Sequence, residues 1–252
     1  MPDTDLAGRV VLITGAARGI GAATARSLHR AGASVYFTYL SHAESATKLA
    51  RELGERAACQ YCDVTKPETL PSLVEACVAR FGRLDVLVNN AAAGAANPFS
   101  SDDYSIWREG WRRTFDVNVF GAADLAWLAM HQMRGQGGGG TIINVASRAG
   151  QRGDSTGAYG ASKAALINLT KSIARSCAQE GIVAMAVAPG YVETENVAPA
   201  LAQSRAQIEA EIPMRRIGDP DEVAAVITFL ASKNARYANG ATVDLNGGSY
   251  VR

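Results

Sequence analysis

The regular pattern of the chain begins with Val10-Val11-Leu12-Ile13-Thr14-Gly15-Ala16-Ala17-Arg18-Gly19-Ile20-Gly21. A short apolar run suited to a buried strand is followed by a glycine-rich turn and then by the start of a helical pattern. Glycines let the backbone turn sharply and approach a pyrophosphate, and the first N–H groups of a helix attract negative charge. The stretch therefore predicts a strand, a nucleotide-binding turn and a helix. It lacks a Gly-Lys-Ser/Thr ending, which argues against a nucleoside-triphosphate P-loop.

Apolar runs and helical patterns alternate along the rest of the chain. Strands are predicted at Val10–Thr14, Ser34–Tyr39, Ala57–Cys62, Val86–Asn89, Thr141–Ala146, Val183–Ala188 and Thr242–Leu245. Helices are predicted at Ile20–Ala31, Glu44–Leu53, Pro67–Phe81, Trp111–Met133, Ala158–Gln179 and Pro220–Ala231, the last with Asp219 as its N-cap. Repeated β-α-β units predict an α/β fold, a Rossmann-type doubly wound parallel sheet of about seven strands with helices on both faces.

No domain boundary is visible, so residues 1–252 are expected to form a single domain. Residues 92–107 and 191–218 are long segments of little regular pattern that follow predicted strands. Because open α/β sheets bind their ligands at the carboxyl ends of the strands, both segments are candidates for substrate contact, and 191–218 is predicted to be the substrate loop.

Composition and charge argue against a nucleic-acid-binding protein and against a membrane protein. The net charge of +1 provides no basic field for nucleic acid or for an anionic membrane. The N-terminus lacks the pattern of a signal peptide, and no apolar run reaches the ~20 residues that span a bilayer. We therefore expect a cytoplasmic protein with no membrane or nucleic-acid partner.

The four cysteines include a C-x-x-C pair, Cys59 and Cys62. The pair falls in a predicted strand, where side chains three apart point to opposite faces of the sheet. No second pair completes a metal site. Buried free thiols are expected, with neither a redox pair nor a bound metal.

Tyr159 and Lys163 lie one helical turn apart in Tyr159-Gly-Ala-Ser-Lys163, so they share a helix face. A free tyrosine has a pKa near ~10. A cation about 4 Å from the phenolate is worth roughly 4 kcal/mol at an effective dielectric near 20, which would lower that pKa by about 3 units. The pair therefore predicts a tyrosine that exchanges a proton near neutral pH.

The second predicted strand bears on the choice of dinucleotide. An acidic residue at its end would bind the ribose 2′-OH of NAD and repel a 2′-phosphate. Tyr39 occupies that position here, while Arg18 and Ser41 offer partners for a phosphate. NADP(H) is therefore the preferred cofactor, with NAD(H) as the alternative.

In their order and spacing, these features resemble the short-chain dehydrogenase/reductase family along nearly the whole chain. The motifs that carry the resemblance are Thr14–Gly21, Asp63-Val64, Asn89-Asn90-Ala91, Asp116-Val117-Asn118-Val119, Asn144-Val145-Ala146-Ser147, Tyr159 with Lys163, Pro189-Gly190 and Asn246-Gly247-Gly248. The resemblance implies an NAD(P)-dependent oxidoreductase that acts on CH–OH and C=O groups, and the 3-oxoacyl reductases are the nearest branch.

The resemblance further implies a catalytic tetrad of Asn118, Ser147, Tyr159 and Lys163. In such enzymes Tyr159 would protonate the developing alkoxide, and Ser147 would hydrogen-bond the substrate oxygen. Lys163 would hold the nicotinamide ribose and lower the pKa of Tyr159. Asn118 would hold a water that links Lys163 to solvent.

Cofactor contacts are predicted from the glycine turn, from the end of the second strand and, for the remaining residues, from the resemblance. The complete set is Gly15, Arg18, Gly19, Ile20, Gly21, Tyr39, Ser41, Asp63, Val64, Asn90, Ala91, Tyr159, Lys163, Pro189, Gly190, Val192 and Thr194.

The function expected is NADPH-dependent reduction of a small-molecule ketone to a secondary alcohol. The alternatives are an NAD-dependent alcohol dehydrogenase, a 3-oxoacyl-thioester reductase and a non-catalytic dinucleotide sensor. Gly138 and Glu180 occupy the positions where bacterial 3-oxoacyl reductases carry basic residues that dock the carrier protein, which weakens the thioester alternative. The resemblance also implies a homo-oligomer, a tetramer.

Several residues near the predicted site have two interpretations. Arg148 and Arg152 flank the loop that follows Ser147 and either meet an anionic substrate or are solvated at the surface. Trp107, Trp111 and Tyr191 either line an apolar substrate pocket or pack in the core.

Overall fold

A computed structural model of the protein describes residues 5–94, 99–195 and 197–251, and it contains a parallel sheet of seven strands. The strands are β1 (Val10–Ile13), β2 (Ser34–Tyr39), β3 (Ala57–Tyr61), β4 (Val86–Asn89), β5 (Gly140–Val145), β6 (Ile182–Pro189) and β7 (Thr242–Leu245). Their order is β3-β2-β1-β4-β5-β6-β7, and every neighbouring pair is parallel. The predicted fold class is confirmed. Parts of the predicted segments 92–107 and 191–218, and the chain ends of the predicted domain, lie outside the described residues.

Helices connect the strands. They are α1 (Gly19–Arg30), α2 (Ala43–Leu53), α3 (Leu70–Phe81), α4 (Tyr104–Phe115), α5 (Gly121–Gly135), α6 (Ala149–Arg152), α7 (Ala158–Cys177), α8 (Ala198–Glu211) and α9 (Pro220–Ala231). A π-helical turn, Asp116–Phe120, joins α4 to α5. Within 5–94, 99–195 and 197–251, no helix is both long and apolar enough to cross a membrane.

Two apolar cores form because successive side chains of each strand point to opposite faces of the sheet. Val11 and Ile13 of β1 pack with side chains of α1, α2 and α9 on one face. Val10 and Leu12 pack with side chains of α3, α5 and α7 on the other. Burial on both faces explains why the strands read as continuous apolar runs. The same alternation separates Cys59 from Cys62, which pack in different cores as free thiols.

The predicted helix Trp111–Met133 is wrong at its start and in its regularity. The helix begins at Tyr104, because the Asp103 carboxylate accepts hydrogen bonds from the N–H groups of Ser105 and Ile106 at 2.9 and 3.0 Å and caps it. The π-helical turn then interrupts the expected α-helix. By contrast, α9 begins as predicted, with Asp219 and Glu222 forming a capping box.

A chain of buried amides connects the middle of the sheet to α7. Asn89 Nδ2 donates to Asn144 Oδ1 at 2.9 Å, and Asn144 Nδ2 donates to the Thr170 hydroxyl of α7 at 2.8 Å. All three side chains are fully or almost fully buried. Because α7 carries Tyr159 and Lys163, these bonds fix the predicted catalytic helix against β4 and β5.

We expect Asn144→Ala to lower the free energy of unfolding by about 2 kcal/mol, since buried polar groups on β4 and α7 lose their partner. Urea denaturation of the wild type and the variant measures the loss. The control is Asn168→Ala, which removes an exposed asparagine of α7. An equal, small effect of both substitutions would contradict a structural role for the amide chain.

Candidate active site

The site lies where the strand order reverses, between the carboxyl ends of β1 and β4. The Thr14 hydroxyl, which follows β1, accepts the N–H groups of Asn90 and Ala91 at 3.0 and 2.9 Å. In return, Asn90 Nδ2 donates to the carbonyls of Thr14 and Gly15, both at 2.9 Å. Open α/β sheets bind dinucleotides in this crevice. The amide of Asn90, predicted as a cofactor contact, thus holds the glycine turn in place.

The glycine turn leaves no room for side chains. Gly15 has φ +67°, and a Cβ on it would lie 3.0 Å from Cα of Ala91. A Cβ on Gly21 would lie 2.6 Å from Asn90 Nδ2. The helix that follows, α1, begins at Gly19 without a side-chain cap. Backbone N–H groups at an uncapped helix start suit a diphosphate, so the residues present fit a dinucleotide.

Segments distant in sequence meet at this turn. Thr194, in the segment after β6, lies against the start of α1, since a Cβ on Gly19 would be 3.2 Å from its Cγ2. In the same segment, the Gly190 N–H bonds the carbonyl of Leu245 at 2.9 Å, and Val192 is buried. The predicted contacts of this segment therefore lie over the glycine turn and the ends of β6 and β7.

The predicted contacts for the adenosine half lie at the ends of β2 and β3. Tyr39 is the last residue of β2, and its ring meets the edge of Tyr61. The Asp63 carboxylate accepts the N–H and the hydroxyl of Thr65 at 3.0 and 2.8 Å. Val64 packs closely on α5, because a Cβ on Gly121 would lie 2.7 Å from its carbonyl oxygen.

Ser147, Tyr159 and Lys163 lie together beyond β5. The side chain of Ser147 lies close enough to the phenol of Tyr159 to lower its pKa. Lys163 is 1% exposed, its ammonium donates to the carbonyl of Val145 at 2.8 Å, and its Nζ lies 5.6 Å from the centre of the Tyr159 ring. Hydroxyl, phenol and ammonium thus lie close together beyond the end of β5.

Asn118, the fourth predicted member, lies in the π-helical turn and is buried. Its amide accepts the N–H of Ala93 at 2.7 Å, and it donates to the carbonyl of Ala93 and to the hydroxyl of Ser162 at 2.8 and 2.9 Å. Asn118 therefore ties the segment after β4 to the residue that precedes Lys163.

The electrostatics differ from the sequence-based expectation that Lys163 lowers the pKa of Tyr159. Burial raises the pKa of Tyr159 above its ordinary value, the hydrogen bond with Ser147 opposes this, and the carboxylate of Asp154 adds to it. Burial also lowers the pKa of Lys163 to about 8. Desolvation is the largest influence on both side chains, and it acts on the pKa of Tyr159 in the opposite direction to the effect expected from the cation.

Sequence reasoning missed several neighbours of the tyrosine. The Asp154 carboxylate accepts the N–H of Gly157 at 2.9 Å and positions the start of α7. Gly94 lies beside Tyr159, because a Cβ on it would be 3.5 Å from Cδ2 of the ring. Neither residue belongs to a sequence motif that would predict its position beside Tyr159.

A cluster of aromatic side chains, which we call the aromatic wall, lies beside Gly157. Its members are Phe99, Tyr104, Trp107, Trp111 and Phe115, whose neighbouring ring centres are 5.3 to 6.3 Å apart. A Cβ on Gly157 would meet Phe99 at 2.7 Å and Trp111 at 3.3 Å. The two tryptophans therefore border the predicted site and do not belong to either sheet core.

Two further features of the described residues lie apart from the predicted tetrad. A cavity of about 650 Å³ is lined by Tyr191, Val192 and residues of 212–223 and 244–251, none of them in the predicted tetrad. The residues that the structure describes hold no cluster of three or more His, Cys, Asp or Glu that suits a metal ion. Burial raises the pKa of Cys62 to about 11, so its thiol stays protonated at neutral pH.

Comparisons with known proteins match nearly the whole chain to oxidoreductases. A family model described as enoyl-(acyl carrier protein) reductase matches residues 15–250. The cis-4-hydroxycyclohexanecarboxylate dehydrogenase of Sinomonas cyclohexanicum is 40% identical over 242 residues, which are 95% of this chain and 96% of that protein. The 3-oxoacyl-[acyl-carrier-protein] reductase of Vibrio cholerae serotype O1 is 36% identical over 249 residues, 98% of this chain and 99% of that protein.

A solved structure also matches nearly the whole chain. The short-chain dehydrogenase/reductase SDR:glucose/ribitol dehydrogenase from Brucella melitensis superposes with a TM-score of 0.90 and is 31% identical in sequence. The match covers 98% of this chain and 99% of that one.

Lys163 should give the fold a pH dependence of stability. Its pKa is about 8 in the folded protein against the ordinary 10.5, so between these values the unfolded chain binds more protons and the free energy of unfolding rises with pH. We expect the stability of the wild type relative to Lys163→Met to increase by roughly 2 kcal/mol from pH 8 to pH 10. Urea denaturation across this range measures it, and a flat difference would mean that the ammonium is not desolvated.

Proposed function

Because the chain belongs to the short-chain dehydrogenase/reductase family, we propose that it is an NADPH-dependent reductase that converts a ketone to a secondary alcohol. The family match over residues 15–250 and the full-length relatives make it an oxidoreductase that acts on CH–OH and C=O groups. The finer assignment is supported chiefly by one observation, the proximity of the Ser147 hydroxyl, the Tyr159 phenol and the buried ammonium of Lys163.

The reaction we propose uses the hydroxyls of Ser147 and Tyr159 to bind the carbonyl oxygen. When bound, the nicotinamide of the cofactor supplies the hydride. Ser147 donates a hydrogen bond where negative charge develops, and Tyr159 transfers its phenol proton to that oxygen. The raised pKa of Tyr159 keeps the phenol protonated at neutral pH, which suits the reductive direction. Lys163 holds the ribose hydroxyls and stabilises the phenolate that remains.

Asn118 has a positioning role in this proposal. It bonds the segment at Ala93 and the hydroxyl of Ser162, and so keeps the helix with Tyr159 and Lys163 in register with the end of β4. The water that we assign to Asn118 would return the proton to Lys163.

The dinucleotide is held by the glycine turn, by the uncapped start of α1 and by Thr194. NADPH is preferred over NADH in this proposal because no acidic residue occurs from Thr38 to Ala43, at the end of β2. Arg18 and Ser41 are the residues that we assign to the 2′-phosphate.

The substrate we propose is a small or medium carbonyl compound with an apolar body. The aromatic wall beside Gly157 supports it, since such a surface suits a ring or a short alkyl group. The Sinomonas relative is named for a cyclohexane substrate, which agrees with this size.

Reduction of a 3-oxoacyl thioester is the second candidate, favoured by the name of the Vibrio relative. Two positions count against a carrier protein as partner. Gly138 bears no charge, and the exposed Glu180 is paired with Arg134.

We also propose that residues 1–252 form one catalytic domain, which assembles as a homotetramer in the cytoplasm. The four free thiols agree with a reducing compartment. Phe120 and Trp127, both 58% exposed near the start of α5 and within it, agree with an interface between copies.

Tyr159→Phe should lower kcat for ketone reduction by at least about a hundredfold, because the proton donor is lost. NADPH affinity, measured by fluorescence titration, should remain largely unchanged. The matched control is Tyr237→Phe, which alters a fully exposed tyrosine. Near-full activity of Tyr159→Phe would contradict the proposed mechanism.

The cofactor preference is tested by kcat/KM with NADPH and with NADH. We expect Tyr39→Asp to lower the NADPH-to-NADH ratio by at least about tenfold, since a carboxylate repels the 2′-phosphate and accepts the 2′-OH. The neutral variant Tyr39→Asn serves as the control. A wild-type preference for NADH would make the NADP(H) assignment wrong.

A further inference from the structure

Arg148 directly follows Ser147 and is buried, with 6% of its surface exposed. Its N–H donates to the carbonyl of Pro189 at 3.0 Å, and its guanidinium carbon lies 4.7 Å from the centre of the Tyr191 ring. Tyr191 begins the segment predicted to cover the substrate. Arg148 therefore lies between the residue that holds the carbonyl oxygen and the loop that faces the rest of the substrate.

The charge of Arg148 is poorly balanced. It forms no ion pair with any carboxylate in the described part of the chain, and its buried Nη1 has no hydrogen-bond partner. Arg152 repels its charge, while Tyr191 and the carboxylate of Glu211, at the exposed end of α8, favour it. Contact with the Tyr191 ring offsets part of the cost of burial, and a paired opposite charge would offset more of it.

The position of Arg148 indicates which molecule would supply a negative charge. The phosphates of a dinucleotide belong at the glycine turn after β1. Arg148 follows β5, and β4 lies between the two strands, so it is about 10 Å away along the sheet. The substrate, whose oxygen is assigned to Ser147, is the closer molecule.

We propose that Arg148 binds a carboxylate of the substrate, so that the enzyme acts on keto acids and hydroxy acids in preference to neutral ketones. This inference rests on the proposed function, since it places the reacting carbonyl at Ser147 and Tyr159. A guanidinium offers two parallel N–H donors that match a carboxylate, and the Tyr191 ring covers its face. The aromatic wall would then contact the apolar body between the two polar ends.

The test compares two probes that differ in charge, 4-oxocyclohexanecarboxylate and its methyl ester, in NADPH oxidation assays. The wild type should prefer the acid. Arg148→Met should lower kcat/KM for the acid by about 10- to 100-fold, chiefly through KM, and leave the ester nearly unaffected. Arg148→Lys should recover part of the loss, and Arg175→Met, which removes an exposed arginine of α7, is the control.

The competing explanation is that Arg148 only holds Tyr191 in place. In that case Arg148→Met would lower activity on the acid and the ester by the same factor, and our assignment would be wrong.

A measurement without turnover separates this inference from the proposed function. Cyclohexanecarboxylate, in the presence of NADP+, should raise the melting temperature of the wild type and not that of Arg148→Met. Stabilisation without reduction of either ketone would count against the proposed function alone. Reduction of the ester as fast as the acid, with no stabilisation by the carboxylate, would overturn the role of Arg148 alone.

Discussion

The site depends on how the ends of β1 and β4 are held at the point where the strand order reverses. Backbone groups just beyond these strand ends lack partners in the sheet, and Thr14 and Asn90 satisfy them reciprocally through hydroxyl and amide hydrogen bonds. The bonds fix the glycine turn without filling the space above it. Ala91 lies against Gly15 of this turn, and Thr194 lies against Gly19 at the start of α1.

A second constraint is the burial of charge beneath the reacting group. Lys163 is desolvated at the end of β5, with a backbone carbonyl as the acceptor of its ammonium. Asn118 and the buried amides of Asn89 and Asn144 hold the surrounding elements in place by hydrogen bonds. The buried position of the ammonium is thereby maintained although burial is unfavourable. These buried amides therefore act mainly by fixing the position of α7.

Much of the fold follows from the sequence, because strands buried on both faces must be apolar throughout, and all seven were predicted within one residue at each end. The start of α4 was missed because its first turn, although it carries Tyr104 and Ile106, is exposed and therefore shows no buried apolar face. In the site, the spacing of Tyr159 and Lys163 is local and predictable. Their electrostatics are not, since burial depends on Gly94, Asp154 and other residues distant in sequence. The burial of Arg148 likewise depends on Tyr191, more than forty positions away, so a sequence alone cannot distinguish it from a surface arginine.

The π-helical turn of Asp116–Phe120 has a consequence for insertions and deletions. A π turn holds one residue more than an α turn, and each added residue rotates the rest of a helix by about 100°. The phase of α5 relative to α4 is therefore set by a single residue. Loss of any one position in this turn would let α4 and α5 continue as a regular helix, and either Asn118 or the buried face of α5 would then point the wrong way. Chains of this fold should accordingly tolerate length changes in their loops far better than a change of one residue here.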